Sequence, residues 1–144
     1  MKIRVSKEFN LEMAHALYGH DGPCKNIHGH SYKLTVCLIG KPIQDENSKS
    51  GMVMDFADLK KVVNEKIINQ FDHSLIINEN NPFSLPGDEA FNKVHKFKLQ
   101  PTCENILAEF YKRLSTHSFG PAKLFSMKLR ETATSFAEWY ASDI

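Results

Sequence analysis

Residues 28–40 read HGHSYKLTVCLIG, and this segment decides the fold because apolar and polar side chains alternate along most of its length. The apolar side of the alternation carries Tyr32, Leu34, Val36 and Leu38. His28 and His30 continue the same parity toward the start of the segment. Since successive side chains of a strand point to opposite faces, we expect both imidazoles on the apolar face of a β-strand.

The preceding segment, residues 3–15, alternates in the same way. Its apolar parity carries Ile3, Val5, Phe9, Leu11 and Met13. His15 continues that parity at the end of the run, and a loop with several glycine, proline and asparagine residues joins the two segments over residues 17–27. The pattern predicts two neighbouring strands, with His15 at the end of the first and on its inward face.

The middle of the chain predicts one helix followed by a long loop. A polar, turn-rich stretch at 41–51 precedes the helix, which we expect to run from Asp55, its N-cap, to about Gln70. Its apolar side chains at helical spacing are Phe56, Leu59, Val63 and Ile67. Residues 78–100 contain two prolines and have no steady period, so they predict a loop with at most one short element.

A second helix is predicted from Pro101 and Thr102 to about Ser115, and two strands at 122–131 and 134–141 complete the chain. The inward residues of this helix are predicted to be Ile106, Leu107, Phe110, Tyr111 and Leu114. In the first of the two strands, one parity holds Phe125, Met127, Leu129 and Glu131. A carboxylate therefore ends an apolar row.

The resulting order, β-β-α-α-β-β, predicts an α+β fold in a single domain over residues 1–144. Strands grouped at both ends of a chain favour a four-stranded antiparallel sheet that carries the two helices on one face. Such a sheet has two exposed edges and one uncovered face. We therefore expect copies of the chain to associate through their sheets.

The composition favours a cytosolic protein and argues against two classes of partner. Lysine and arginine number 18 against 17 acidic residues, a net charge of +1, which argues against nucleic-acid and membrane-surface partners. No run approaches 18 apolar residues, and the first 15 residues lack the apolar core of an export signal. The three cysteines are an odd number and lie far apart in the sequence, which fits a reducing compartment.

Three histidines predict a metal site. His28 and His30 are close enough on one strand face to share an ion, and His15 lies at the end of the neighbouring strand. Three imidazoles and an open fourth position form the ligand set of a catalytic zinc site. The alternative is that the His-x-His pair is simply polar surface at a strand edge.

Cys24 lies four residues before His28, in the Gly/Pro loop and next to Lys25. A thiolate in this position would act as a nucleophile or a base. The alternatives are a fourth zinc ligand or an inert loop thiol. For Cys37 and Cys103 we expect ordinary packing.

Three further groups are weaker candidates. Asp72 and His73 place an acid beside an imidazole, which orients the ring only if both face one site. Glu131 is costly to bury without a partner, and a carboxylate can accept two parallel N–H bonds from a guanidine-like edge, whether of an arginine or of a ligand. Thr102 and Glu104 are either ligand contacts or a helix cap and a first-turn acid.

The remaining histidines, His20, His95 and His117, are expected to be solvated.

Taken together, six ordered segments between Lys7 and Thr132 resemble the 6-pyruvoyltetrahydropterin synthase family, including its bacterial 6-carboxytetrahydropterin synthases of queuosine biosynthesis. The segments are FNLEMAHAL, CKNIHGHSYKL, GMVMDFADLK, FDHSLI, PTCEN and LRET. The resemblance implies the tunnelling fold, in which trimers close a twelve-stranded barrel and two trimers stack as a hexamer. A closed barrel has no free edges, which would resolve the exposed edges of the predicted sheet.

The resemblance also implies residue roles. It implies Zn²⁺ on His15, His28 and His30. It implies Cys24 as general base, with Asp72 and His73 completing a proton-relay group. It implies Glu131 as the pterin anchor, with Thr102 and Glu104 as helpers, at a site shared between subunits.

The implied substrate is 7,8-dihydroneopterin triphosphate, and the product depends on the branch of the family. Loss of triphosphate with cleavage of the side chain gives 6-carboxytetrahydropterin and acetaldehyde, whereas loss of triphosphate alone gives 6-pyruvoyltetrahydropterin. The short interval between Cys24 and His28 resembles the bacterial queuosine type. Two other hypotheses stay open, a non-catalytic zinc- or pterin-binding protein and a zinc hydrolase that acts through metal-activated water.

Overall fold

The alternation in the first 40 residues produces two long antiparallel strands. In the computed structural model, which describes residues 1–84 and 92–143, β1 spans Ile3–Ala16 and β2 spans His28–Gly40. Phe9 pairs with Leu34 in the middle of the ladder, and His15 pairs with His28 at its end. The predicted parity is therefore confirmed for both strands.

The remaining elements form one sheet and two helical segments. Helix α1 (Phe56–Val63) continues through a π-helical turn (Asn64–Ile68) into the short α2 (Asn69–Phe71), and α3 spans Cys103–Ser115. The further strands are β3 (Ser74–Asn78), β4 (Val94–Phe97), β5 (Lys123–Arg130) and β6 (Phe136–Tyr140). Single 3₁₀ turns lie at Pro23–Lys25 and Ala141–Asp143. The strand order in the sheet is β4-β3-β1-β2-β5-β6.

The α+β class, the two helical segments and the four antiparallel strands are confirmed, but the sheet is larger than predicted. β3 runs parallel to β1 and β4 runs parallel to β3, so the sheet is mixed and has six strands. The chain order is β-β-α-β-β-α-β-β. β4 is a short element inside the segment predicted as a loop at 78–100, of which residues 85–91 lie outside the described part.

The helices cover one face of the sheet with the expected side chains. Asp55 caps α1 by accepting a hydrogen bond from the backbone N–H of Ala57 at 2.8 Å. Of the four apolar residues at helical spacing in α1 and the turn that follows it, three are fully buried: Leu59, Val63 and Ile67. The fourth, Phe56, is 50% exposed because it lies at the first position of the helix. In the described part of the chain, none of the helices combines the length and apolar character that crossing a membrane requires.

A β-bulge changes the predicted parity of β5. Cys37 of β2 pairs with Ser126, but the next residue, Leu38, pairs with Leu124, so Phe125 is an extra residue without a partner. Leu124 packs against the core in place of Phe125. The Phe125 ring lies instead 4.2 Å from the Arg4 guanidinium. The prediction that Phe125 shares the inward parity of Met127 and Leu129 was therefore wrong.

Three strand edges stay unpaired among the described residues: the outer edges of β4 and β6, which end the sheet, and the first part of β1. β3 pairs with β1 only from Met13 to Ala16, which leaves the earlier part of that edge without a partner strand. β6 ends the sheet on the opposite side. Open edges of this kind can pair with further strands.

We expect adjacent residues in the middle of β2 to differ sharply in their contribution to stability. Leu34 is fully buried between Phe9 and Leu129, so Leu34→Ala should lower the free energy of unfolding by about 2–5 kcal/mol. Thr35 is half-buried on the other face, and Thr35→Ala should cost less than about 1 kcal/mol. Urea unfolding followed by circular dichroism measures both. Equal losses would contradict the assigned faces.

Candidate metal centre and active site

The register of β1 and β2 brings three histidines together. His15 and His28 are direct cross-strand partners, and His30 lies opposite Met13. The ring centroids are 4.5 Å apart for His15 and His28, 5.3 Å for His15 and His30, and 5.1 Å for His28 and His30. One ring nitrogen of each residue lies within 4.8 Å of the others, so the group could hold a metal ion.

Hydrogen bonds orient two of the three rings. His15 Nδ1 lies 2.7 Å from the carbonyl oxygen of Pro101, and His28 Nδ1 lies 2.8 Å from that of Asn26. Because a carbonyl oxygen only accepts, each Nδ1 carries a proton, and in the neutral ring each Nε2 then has a free lone pair. This arrangement is typical of histidines that bind a metal.

The third ring supports the same conclusion. His30 Nε2 is buried and has no hydrogen-bond partner among the described residues. A buried polar atom without a partner is costly. An ion coordinated by this nitrogen would remove that cost, so the residues present fit a metal.

The burial of His15 favours the form that binds metals. The side chain is only 4% exposed, and desolvation lowers its pKa below the ordinary value, although the hydrogen bond to Pro101 opposes the shift. At neutral pH the ring is therefore uncharged.

Gly29, between two of the histidines, keeps β1 and β2 close together. A Cβ at this position would lie 3.2 Å from the carbonyl oxygen of Met13, so a side chain would require the backbone of β1 to move. The sequence places the residue with the smallest volume at the point of closest approach.

Glu131 lies beside the histidines. Its carboxylate oxygens are 4.0 Å from His15 Nε2 and 3.8 Å from His30 Nε2. The Tyr32 hydroxyl donates to the same carboxylate at 3.3 Å and lies 3.4 Å from His15 Nε2. Burial and the neighbouring Glu131 charge raise the pKa of Tyr32, so the hydroxyl keeps its proton.

Tyr32 is a site residue that the sequence analysis missed. It was assigned to the apolar face, where its ring is fully buried, and its hydroxyl was given no role. A signal was available, because Tyr32 follows His30 at the spacing that keeps two side chains on one strand face.

A cavity of about 260 Å³ joins most of the predicted site residues. Those that line it are His15, Cys24, His28, Thr102, Glu104 and Glu131. Thr102 is also the N-cap of α3, because its hydroxyl accepts a hydrogen bond from the Asn105 N–H at 3.3 Å. The cap and ligand-contact interpretations of Thr102 are thus compatible.

Cys103 lines the same cavity, although the sequence predicted only ordinary packing for it. Its thiol donates to the carbonyl oxygen of Leu129 at 3.3 Å. Burial and the Glu131 charge raise the pKa of Cys103 to about 11, so this thiol is protonated at neutral pH. Cys103 therefore contributes an uncharged side chain to the cavity that Cys24 also lines.

Asp72 and His73 contact each other, but neither of them lines this cavity. The Asp72 carboxylate accepts the Glu12 N–H at 2.8 Å and lies 3.0 Å from His73 Nδ1. Although partial burial opposes the charge, these hydrogen bonds and the nearby Lys93 lower the pKa of Asp72. The His73 side chain is 76% exposed and lines a second cavity, of about 720 Å³, that also reaches His30.

His73 has an unusual backbone conformation. Its φ is +60°, the left-handed region that non-glycine residues seldom adopt. Its N–H donates to the carbonyl oxygen of Glu12 at 2.6 Å, which holds the turn between α2 and β3 against β1. The chain thus keeps an imidazole where glycine would be the less strained residue.

One expectation about the other histidines was wrong. His95 was expected to be solvated, but its ring stacks on Phe71 at 4.2 Å and its Nε2 lies 2.7 Å from the carbonyl oxygen of Gln70. The cause is β4, which the sequence pattern did not predict as part of the sheet.

Known proteins resemble this chain in sequence over most of its length. A family profile described as 6-pyruvoyl tetrahydropterin synthase matches residues 4–142. The 6-carboxy-5,6,7,8-tetrahydropterin synthase of Haemophilus influenzae is 36% identical over 141 residues, which cover 95% of this chain and 98% of that protein. The Aquifex aeolicus protein of the same name is 34% identical over an alignment of 164 positions, gaps included, which covers 96% of this chain and 98% of that protein.

Two solved structures share the fold. An uncharacterized protein from Wolinella succinogenes superposes with a TM-score of 0.78 at 21% identity and covers 98% of this chain and 99% of its own. The 6-pyruvoyl tetrahydropterin synthase of Caenorhabditis elegans gives a TM-score of 0.73 at 24% identity, with 98% and 96% coverage. Identities this low support the architecture alone.

We expect the chain to bind one divalent transition-metal ion through the three histidines. Equilibrium dialysis with elemental analysis should give one ion per chain, and His30→Ala should abolish tight binding. His20→Ala is the matched control, since His20 lies outside the group. Binding should weaken as the pH falls through the lowered pKa of His15, because a protonated imidazole has no lone pair for an ion. Undiminished binding by His30→Ala would contradict the assignment.

We also expect the backbone at position 73 to store strain. His73→Gly and His73→Val both remove the imidazole, but a β-branched residue fits a positive φ poorly. The glycine variant should therefore be the more stable of the two by at least about 1 kcal/mol in urea unfolding. Equal stabilities would show that the turn relaxes without cost.

Proposed function

Because the chain belongs to the 6-pyruvoyl tetrahydropterin synthase family and is a lyase-type enzyme of that family, we propose that it forms 6-carboxy-5,6,7,8-tetrahydropterin from 7,8-dihydroneopterin triphosphate. Acetaldehyde and triphosphate are the other products, and the reaction is a step of queuosine biosynthesis. The observation that carries this proposal is the single cavity that two of the metal-site histidines, His15 and His28, share with Cys24 and Glu131. The carboxy product is favoured because the relatives above 30% identity have that name.

We propose Zn²⁺ as the ion held by His15, His28 and His30. Three neutral imidazoles with an open coordination position form the ligand set that catalytic zinc prefers. When bound, zinc supplies Lewis-acid stabilisation of negative charge that develops on the substrate side chain. The chain supplies the orientation of the ligands, through the carbonyl oxygens of Pro101 and Asn26.

Glu131 is the proposed anchor for the pterin ring. A carboxylate can accept two parallel N–H bonds from the amino-pyrimidine edge of a pterin. The Tyr32 hydroxyl donates a hydrogen bond to one oxygen of this carboxylate, so the carboxylate is oriented before the substrate binds. Thr102 and Glu104, at the start of α3, line the same cavity and are proposed to contact the ring.

Cys24 is the proposed general base. It lies in the 3₁₀ turn Pro23–Lys25 and lines the cavity together with His28. As a thiolate, it would remove a proton from the substrate side chain held over the metal site. Asp72 and His73 are the proposed partners that return the proton, with Asp72 orienting the ring through Nδ1.

His73 faces a different cavity from Cys24 within one chain, so the relay is proposed to form between subunits. The unpaired edges of β1 and β6 favour strand pairing between copies. A trimer with a twelve-stranded barrel, and a hexamer of two trimers, is the assembly we propose. The family favours a small-molecule substrate, and the three free cysteines favour a cytosolic location for this single domain of 1–144.

Mass spectrometry of the products tests the function directly. Zinc-loaded protein incubated with 7,8-dihydroneopterin triphosphate should yield 6-carboxytetrahydropterin and acetaldehyde. A 6-pyruvoyl product would keep the site but assign the other reaction of the family. Unchanged substrate with zinc bound would contradict the synthase proposal and favour a binding protein or a hydrolase.

Replacement of Cys24 separates catalysis from metal binding. Cys24→Ala should retain one zinc ion per chain and lose at least about a hundredfold in turnover, the usual range for removal of a general base. Cys37→Ala is the matched control, because Cys37 is buried in β2, outside the cavity. Loss of zinc from Cys24→Ala would make this thiol a ligand instead of a base.

A further inference from the structure

Two cations face each other across neighbouring strands close to the histidine cluster. Lys33 of β2 pairs directly with Arg130 of β5, and Asn10 of β1 pairs with Lys33 on the other side. Cross-strand partners project from the same face of a sheet, here the face away from the helices. Like charges in this arrangement destabilise a sheet unless something of opposite charge lies between them.

The protein itself neutralises this pair only in part. Lys33 Nζ lies 3.4 Å from Glu8, but both side chains are largely exposed, so the interaction is weak. Arg130 donates to the carbonyl oxygen of Ala133 at 3.0 Å and stacks on Phe136 at 4.9 Å, and both partners are uncharged. Among the described residues, no carboxylate lies within ion-pair distance of the Arg130 guanidinium.

A cavity of about 480 Å³ lies over these side chains. Lys33, Arg130 and Asn10 line it, together with the two hydroxyl residues Ser31 and Thr132. The volume is in the range of small-molecule sites, and the lining is rich in groups that donate hydrogen bonds. Such a lining suits an anion.

The position of this cavity connects it to the proposed active site. It shares His30 and Glu131 with the metal cluster and its surroundings. The cavity that contains Cys24 has no lysine or arginine among its lining residues. The cavity that contains His73 has Lys93, whose ammonium already donates to the carbonyl oxygen of Asp72 at 2.5 Å. Among the described residues that line these three cavities, Lys33 and Arg130 are thus the cations best placed to meet an anion, because the Lys33–Glu8 ion pair is exposed and weak.

We propose that Lys33 and Arg130, with Asn10 on the other side of Lys33, form an anion subsite that binds the polyphosphate chain of the substrate. The inference rests on the proposed function for the identity of the substrate, but the subsite itself rests on the strand register and the cavity. Arg130 offers a fork of N–H donors to phosphate oxygens, and Lys33 offers a mobile point charge. Glu131 then binds the ring while its sequence neighbour Arg130 binds the tail.

Calorimetric titration with inorganic triphosphate tests the subsite without any turnover. We expect Lys33→Gln and Arg130→Gln each to weaken triphosphate binding about tenfold, as the loss of one charged hydrogen-bond donor does. The double variant should lose measurable binding. Lys112→Gln is the matched control, since it removes the same charge from the exposed surface of α3. All proteins are titrated both zinc-loaded and after chelation, because triphosphate also binds free metal ions.

The outcomes distinguish the alternatives. Binding that requires zinc and is unchanged in both variants would place the anion on the metal and overturn the subsite. Variants that change the oligomeric state by light scattering, with unchanged affinity, would show that the two cations pair with another copy. In either case the subsite proposal fails.

Substrate kinetics separate this proposal from the proposed function. With 7,8-dihydroneopterin triphosphate, the variants should raise KM about tenfold and leave kcat near the wild-type value. Their affinity for 7,8-dihydroneopterin, which lacks the phosphates, should equal that of the wild type. Absence of turnover in every protein, with triphosphate binding still lost in the variants, would refute the synthase function and retain the anion subsite.

Discussion

In the antiparallel ladder between β1 and β2, His15 lies opposite His28 and Met13 lies opposite His30. A shift of this pairing by one residue would turn every side chain of one strand to the other face and would separate the imidazoles. The buried row that includes Phe9, Leu34 and Leu129 opposes such a shift, because the same slip would expose it to water. The hydrophobic core thus fixes the geometry of the polar site at its end.

The sequence predicts this part of the molecule well because its signals are local. Alternation over most of their length marks β1 and β2, and a cap with apolar side chains at helical spacing marks α1 and α3. β3 and β4 escaped prediction because they are short and pair in parallel with strands distant in sequence. Phe125 was misassigned for a related reason: only the partner strand shows where a bulge interrupts the period.

For the candidate site, the sequence predicts which residues carry the chemistry but not how they contact one another. Residue types that carry chemistry, such as the histidines, Cys24 and Glu131, could be named from their spacing and from a family resemblance. The contribution of Tyr32 depends on its hydroxyl reaching Glu131, and that of Cys103 depends on the first turn of α3 lying against β5. Contacts of this kind are set by tertiary packing, which the pattern of one segment does not contain.

Gly29 has a bearing on how this sequence can vary over time. Every replacement of glycine adds a Cβ, and at this position the Cβ would press against the main chain of β1, which is itself held by pairing on both sides. Ser31, two residues further, is exposed and has room for other side chains. Genetic drift can therefore alter the surroundings of the two histidines far more easily than the interval between them.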